Sequence, residues 1–173
     1  GCSSLTCIDI PEGVTSIGRS AFRDCSNLTS IAIPTNVTSI GDSAFEGCSS
    51  LTSIDIPDGV ISIGDRAFVY CSSLTSINIS ENLIFIEAST FEGCQNLTNI
   101  KVSKGVVGIG RRAFLGCSSL TNIIIPEQVI SIGDYAFNSC NNINIICKEN
   151  SVAEQYAIID QINYTLDNEL PTV

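Results

Sequence analysis

Apolar and polar positions along this chain recur at a fixed step of 23 residues. In the unit that runs from Cys48 to Tyr70 the apolar positions are Leu51, Ile54, Ile56, Val60, Ile63, Ala67 and Phe68, and the next unit opens on Cys71. The same columns hold Ile17, Ile40, Ile63, Ile86, Ile109 and Ile132, and Phe22, Phe45, Phe68, Phe91, Phe114 and Phe137. A third column holds Cys2, Cys25, Cys48, Cys71, Cys94, Cys117 and Cys140. A period of this length, held without insertion, marks a stacked-repeat solenoid. Each unit then buries its apolar face only against its neighbours, and the core is a rod.

Within a unit, the Leu-x-x-Ile-x-Ile run sets β-branched residues on one side and Thr, Ser or Asp on the other, as a half-buried strand does. Its copies are Leu5 to Ile10, Leu28 to Ile33, Leu51 to Ile56, Leu74 to Ile79, Leu97 to Val102 and Leu120 to Ile125. They are predicted to pair in register as a parallel sheet. A turn follows, with Pro11, Pro34, Pro57 or Pro126 presetting φ and Gly13, Asn36, Gly59, Asn82 or Gly105 supplying residue types that tolerate positive φ. A second short strand, Val60 to Ile63 and its equivalents, leads to a glycine. The segment after it, such as Asp65 to Phe68, is predicted to make a helical turn that drives the Phe into the rod.

The seventh unit begins at Cys140, keeps Ile143 and Ile146, and then fails. Ser151 with Glu154 three residues later is a capping box. Val152, Tyr156 and Ile159, with Ala153 and Ala157, are expected to form one apolar helix face. Ile162, Tyr164 and Leu166 alternate as a last strand. The predicted organisation is therefore six full units and a partial seventh over 1–147, a C-terminal cap over 148–166, and a tail or linker over 167–173. The chain opens inside a repeat, so further repeats are expected upstream of it.

The phrase Leu-Thr-Ser-Ile-Asp-Ile-Pro-Asp-Gly-Val-Ile-Ser-Ile-Gly-Asp-Arg-Ala-Phe-Val-Tyr-Cys, residues 51–71, resembles the BspA-like subfamily of leucine-rich repeats. The likeness recurs over about 145 of the 173 residues. It implies a leucine-rich repeat solenoid, mainly parallel β with short helical turns and a helix-strand cap. It also implies a secreted or cell-surface protein that works in adhesion, to extracellular matrix or another cell surface. No catalytic or ligand residues define that family, so none carry over.

The formal net charge of -10 and the absence of His change the picture further. Phosphate binding needs a clustered Lys/Arg surface that eight basic residues spread along the chain do not form, so nucleic acid is not an expected partner. No apolar run approaches the ~20 residues needed to span a bilayer. Without His the commonest general base near neutral pH is missing, and a repeat spreads identical groups along parallel lines where catalysis needs different groups to converge. No enzyme activity, cofactor or metal is expected. Asp42, Asp65 and Asp134 recur at one corner, yet a calcium site needs six to eight oxygens from one loop region.

Nine cysteines invite disulfides. Residues one repeat apart stack about 4.8 Å apart with parallel Cβ vectors, whereas a disulfide needs the two Cβ atoms turned toward each other. The column therefore reads as buried free thiols filling the core. Cys7 and Cys147 lie outside it, ~29 Å apart at the same spacing, and either could be an exposed thiol.

Two surfaces are candidate sites. The outward side of the first strand carries Thr52, Ser53 and Asp55, then Thr75, Ser76 and Asn78, then Thr98, Asn99 and Lys101. Stacked Thr and Ser favour strand geometry and bond to one another; alternatively, they form a flat face for a protein ligand. The second candidate is apolar, with Ile61, Ile84, Phe85, Val107 and Ile130 at outward or edge positions of the second strand, though the Val-x-x-Ile spacing leaves their direction open. The fourth and fifth units break the pattern: Ser80 and Ser103 replace Pro, Glu87 replaces Gly, Thr90 replaces Ala, and Phe85 and Gly108 take the Ser place. Drift and a built binding surface are both consistent with such a break. The functional expectation is a monomeric, non-catalytic module that recognises a host or neighbouring-cell protein. The alternative is a structural spacer with no ligand of its own.

Overall fold

The computed structural model describes residues 1–167. In chain order its elements are β1 (Ser16–Ile17), β2 (Ser39–Ile40), β3 (Ser53–Asp55), β4 (Ser62–Ile63), β5 (Ser76–Asn78), β6 (Phe85–Ile86) and β7 (Asn99–Ile100). They continue with β8 (Gly108–Ile109), β9 (Asn122–Ile124), β10 (Ser131–Ile132), β11 (Asn144–Cys147), α1 (Val152–Ile159) and β12 (Asn163–Leu166). The strands form two columns of parallel ladders. One contains β3, β5, β7, β9, β11 and β12, and the other β1, β2, β4, β6, β8 and β10. Pairing between full units is one repeat apart, as in Ser53↔Ser76 and Ile40↔Ile63; into the seventh unit it slips by one residue, with Ile145 opposite Ile123, so that Ile145 rather than the expected Ile146 enters the core. The first two copies of the Leu-x-x-Ile-x-Ile run form only a bridge, Asp9↔Ala32, rather than full strands.

Both columns are interrupted at the irregular units. The second breaks between β4 and β6, and the first between β7 and β9. A physical cause is visible at the former. Glycine precedes the corner in other units because a Cβ there would strike the unit before it: at Gly41 it would lie 2.7 Å from Arg19 N, and at Gly110 2.6 Å from Ala88 N. Glu87 brings a Cβ to that position. Across the break Asp65 Oδ1 accepts from the Ala88 N–H at 3.1 Å, a side chain standing in for part of the ladder.

The segment expected to be a helical turn is instead a ladder of consecutive turns. The N–H groups of Ser20, Phe22 and Asp24 donate to the carbonyls of Asp42, Ala44 and Glu46 in the next unit. Those of Ala21, Arg23 and Cys25 close back on Gly18, Ser20 and Phe22. Bonding every second residue to a neighbouring unit excludes the helical pattern, and it places every fourth residue in the left-handed region: Ser20 (φ 55), Asp24 (φ 57), Ser43 (φ 53) and Gly47 (φ 75). The positive φ expected after the prolines is absent there. Asn36 and Asn82 instead donate their amides to Glu12 O and Asp58 O, each at 2.9 Å. Gly59 is required by close approach, since its Cβ would meet Thr35 O at 2.8 Å.

The rod's interior follows the columns. Leu51, Ile54, Ile56, Val60, Ile63, Ala67, Phe68 and Cys71 are all buried. Six phenylalanines stack face to face with ring centroids 5.2 to 5.6 Å apart and planes 2 to 17° from parallel. Phe22, in the first complete turn, is only partly buried. Tyr156 of α1 closes the stack edge-on to Phe137, at 5.9 Å and 72°.

The Ser151 side chain accepts from Glu154 N at 3.2 Å, as a cap requires; the return bond of a full capping box is displaced by one residue, with the Asn150 N–H donating to Glu154 Oε2 at 2.6 Å while the Ser151 N–H donates to Lys148 O. Ala153 and Ala157 are buried, but Ile159, expected on the same face, is 76% exposed. Alanines let the helix sit close against the last turn, and the inward face is too narrow to include Ile159. Beyond it β12 pairs in parallel with β11, from Asn144↔Asn163 to Cys147↔Leu166, and extends the first column by one strand. Of the expected tail only Asp167 lies within the described residues, and its N–H donates to Cys147 O.

Candidate functional site

All nine polar candidates on the first column are exposed, and register brings them together as three rows. Their hydrogen bonds run along the rod. The hydroxyls of Thr52, Thr75 and Thr98 donate to the carbonyls of Thr29, Thr52 and Thr75 at 3.1 to 3.4 Å, beside the backbone bond to the same oxygen. Asn78 Nδ2 donates to Asp55 Oδ1 at 2.8 Å, Asn99 Nδ2 reaches Thr98 Oγ1 at 3.4 Å, and Lys101 pairs with Glu81. The face is flat and polar, with its threonine donors committed to the ladder.

Ile84 and Phe85 lie on the other column, so the eleven candidates occupy two surfaces, as their places on the first and second strands imply. Ile84 and Phe85 are 50% and 48% exposed, in line with Ile61 at 59% and Ile130 at 74%. The direction left open by the Val-x-x-Ile spacing is therefore outward. Phe85 lies against Gly108: a Cβ on that glycine would come within 2.9 Å of the ring. The irregular Phe85 and Gly108 are thus a matched pair, aligned across β6 and β8.

Below this stripe Asp42, Asp65 and Glu87 line a shallow hollow of about 420 Å³ with Ser39, Ser62 and the intervening glycines. Partial burial, then the charges of Asp65 and Asp42, push the Glu87 carboxyl above its usual range. No grouping of three or more His, Cys, Asp or Glu among the described residues is arranged to hold a metal ion.

Two features at the corner opposite in sequence had no sequence signal of their own. Glu46 is buried between Arg23 and Arg66, with Oε1 3.1 Å from a guanidinium nitrogen of each. Burial alone would raise its pKa. Hydrogen bonds from Arg66 and Ser43 and the charges of Arg66 and Arg23 outweigh this and hold it below the usual carboxylate value. The column thiols, expected as filler, also donate. Cys48, Cys71, Cys94, Cys117 and Cys140 give Sγ–H bonds of 3.1 to 3.2 Å to the carbonyls of Phe22, Phe45, Phe68, Phe91 and Phe114, each 26 residues earlier in the chain. Burial pushes the Cys48 thiol up to about 12 and Cys140 to about 11. All nine cysteines are free; Cys2, though in the column, is exposed with Cys7, and Cys147 is buried.

Two parallel ladders per turn, one corner turn and a stacked Phe column define a leucine-rich repeat solenoid. A family model described as the BspA type leucine rich repeat region, in 6 copies, matches residues 1–114 and 84–159, and the chain belongs to that family. Similar solved structures are bacterial. A leucine rich cell surface protein from Faecalibacterium prausnitzii is 31% identical, with TM-score 0.69 over 89% of this chain and 50% of its own. The T. pallidum leucine rich repeat protein is 30% identical, with TM-score 0.78 over 81% of this chain and 68% of its own. A leucine-rich repeat protein from Bacteroides ovatus is 30% identical, with TM-score 0.63 over 94% of this chain and 46% of its own. The chain thus spans about half the length of the first and third. Among curated protein sequences none is significantly similar.

Proposed function

We propose that the chain is a non-catalytic protein-recognition module of a secreted or cell-surface protein, binding a host or neighbouring-cell protein through the outward face of the first column. The carrying observation is the in-register array of exposed polar side chains, Thr52 to Lys101, on a scaffold whose core is continuous from unit to unit. Such an extended, rigid face lowers the ordering cost of binding a large partner surface. A likeness to a cell surface protein supports the compartment. No helix among the described residues is long and apolar enough to cross a membrane. The test is to immobilise the domain, pass extracellular-matrix proteins over it, and compare the parent with Asn99→Arg. Binding that Asn99→Arg weakens supports the reading; binding that it leaves intact counts against this face.

A second reading, a spacer that holds another domain away from the cell, is favoured by one observation. The threonine hydroxyls of the polar face donate to the ladder rather than outward. Failure to retain any partner in the same assay favours it.

A further inference from the structure

The outward position at the start of the second strand is Thr15 and Thr38 in the first two units, and then Ile61, Ile84, Val107 and Ile130. From the third unit onward an apolar stripe therefore climbs the rod, exposed at Ile61, Ile84 and Ile130, half-buried at Val107, and widened by Phe85 against Gly108. Three steps at ~4.8 Å make it ~14 Å long. Contiguous exposed apolar surface of this kind marks a contact site more often than scattered residues do. Beside it, at the far end of the same strands, stand Asp42, Asp65 and Glu87 around one hollow. Arg19 and Arg111 bound that row in the first and fifth units. The lining of the hollow carries three carboxylates and no Lys or Arg.

We propose that the second column is a docking surface for a cationic amphipathic helix of a partner protein, lying along the rod axis. Its apolar side chains would cover Ile61, Ile84, Phe85 and Ile130, and its Lys or Arg side chains would stand over Asp42, Asp65 and Glu87. The pitch fits: a helix offers one side chain per ~5.4 Å turn on a given face, close to the ~4.8 Å step between units. An extended strand offers one per ~6.7 Å on a given side and falls out of step sooner. A second copy of this chain packed with the rods antiparallel is disfavoured, because that isologous contact would set one carboxylate row against another. An anionic lipid surface is disfavoured by the same row and by the net charge of -10. The inference rests on the chain being a protein-recognition module, but it uses a different surface from the one proposed above.

The test uses three labelled helical peptides of about four turns and the whole chain, with binding read by fluorescence anisotropy. One peptide has a Leu face flanked by Lys, one has Ser in place of Leu, and one has Glu in place of Lys. Only the Leu/Lys peptide is expected to bind. Ile84→Ser is expected to weaken it about tenfold, as is Asp42→Asn combined with Asp65→Asn, the latter retaining an oxygen for the Ala88 N–H. Phe85 is left in place so that Gly108 stays covered. Should Ile84→Ser lower the melting temperature, Ile61→Ser and Ile130→Ser, at more exposed positions, replace it. Equal binding of the Ser/Lys peptide would reduce the effect to diffuse attraction by an acidic protein and overturn the proposal. So would equal binding of the Glu-flanked peptide, binding that survives the isoleucine changes, or no binding at all. Asn99→Arg, on the first column, is expected to leave the peptide bound; if it abolishes binding, the docking surface is the polar face instead.

Discussion

Glu46 and Glu87 have opposite electrostatic surroundings, and their effects on stability carry opposite signs. Because Glu46 is held below its ordinary value when folded, its contribution is present above that ordinary value and is lost as pH falls through the depressed one. Glu87, raised when folded, behaves inversely: the folded state binds the extra proton, so stability is lost as pH rises from the ordinary value through the raised one. In thermal melts from pH 3 to 7, Glu46→Gln is expected to fall behind the parent as pH rises, and Glu87→Gln to move ahead of it. At the same scale the thiols divide cleanly. A thiol reagent added to native protein is expected to modify Cys2 and Cys7 rapidly, and all nine cysteines once the protein is unfolded without reductant. Fast reaction of more than two in the native state would contradict the burial of the column.

The turns show how far an element can depart from its repeat and still close. At Ser80 the missing proline is replaced by hydrogen bonds: Ser80 Oγ donates to Asp58 O and accepts from the Asn82 N–H, both at 3.1 Å. At Ser103 no such repair exists. Its hydroxyl is buried without a partner, while the turn bond from Val106 N to Ser103 O is the one the prolines make elsewhere. Ser103→Pro is therefore expected to stabilise the protein by about 1 kcal/mol, by removing an unsatisfied hydroxyl and restricting the unfolded chain. Urea denaturation checks the sign. Removing the helix cap with Ser151→Ala is expected to cost ~1 kcal/mol. The strands, the thiol and Phe columns and the cap were legible in the sequence because each depends on which side of the chain is apolar. The corner was not, because its left-handed residues are Ser, Asp, Arg and Tyr as well as Gly, and their conformation is imposed by the unit above. Ile159 was misplaced for a related reason: periodicity assigns a face to a helix without saying how much of it a neighbour will cover. The polar and apolar surface candidates were legible singly. The outward direction of the apolar set, and the convergence of Glu87 on Asp65 and Asp42, needed the stacked arrangement.

Taken as a whole, the molecule has a core that is the same contact repeated, so damage at its centre propagates to both sides. Phe91→Ala, which removes a fully buried ring between Phe68 and Phe114, is expected to cost about 3–5 kcal/mol. Amide exchange should then show protection falling in the third to fifth units ahead of the capped end, where Tyr156 closes the stack. The joint between neighbouring units has a further consequence. Since Ser39 meets Ser62 and Ser53 meets Ser76 in the same alignment, the upper side of one unit matches the lower side of almost any other. In-frame loss or gain of a whole unit by recombination would leave a molecule that still closes. Copy number is thus a variable that a lineage can change without relearning how to fold, and with it the reach of whatever the rod displays.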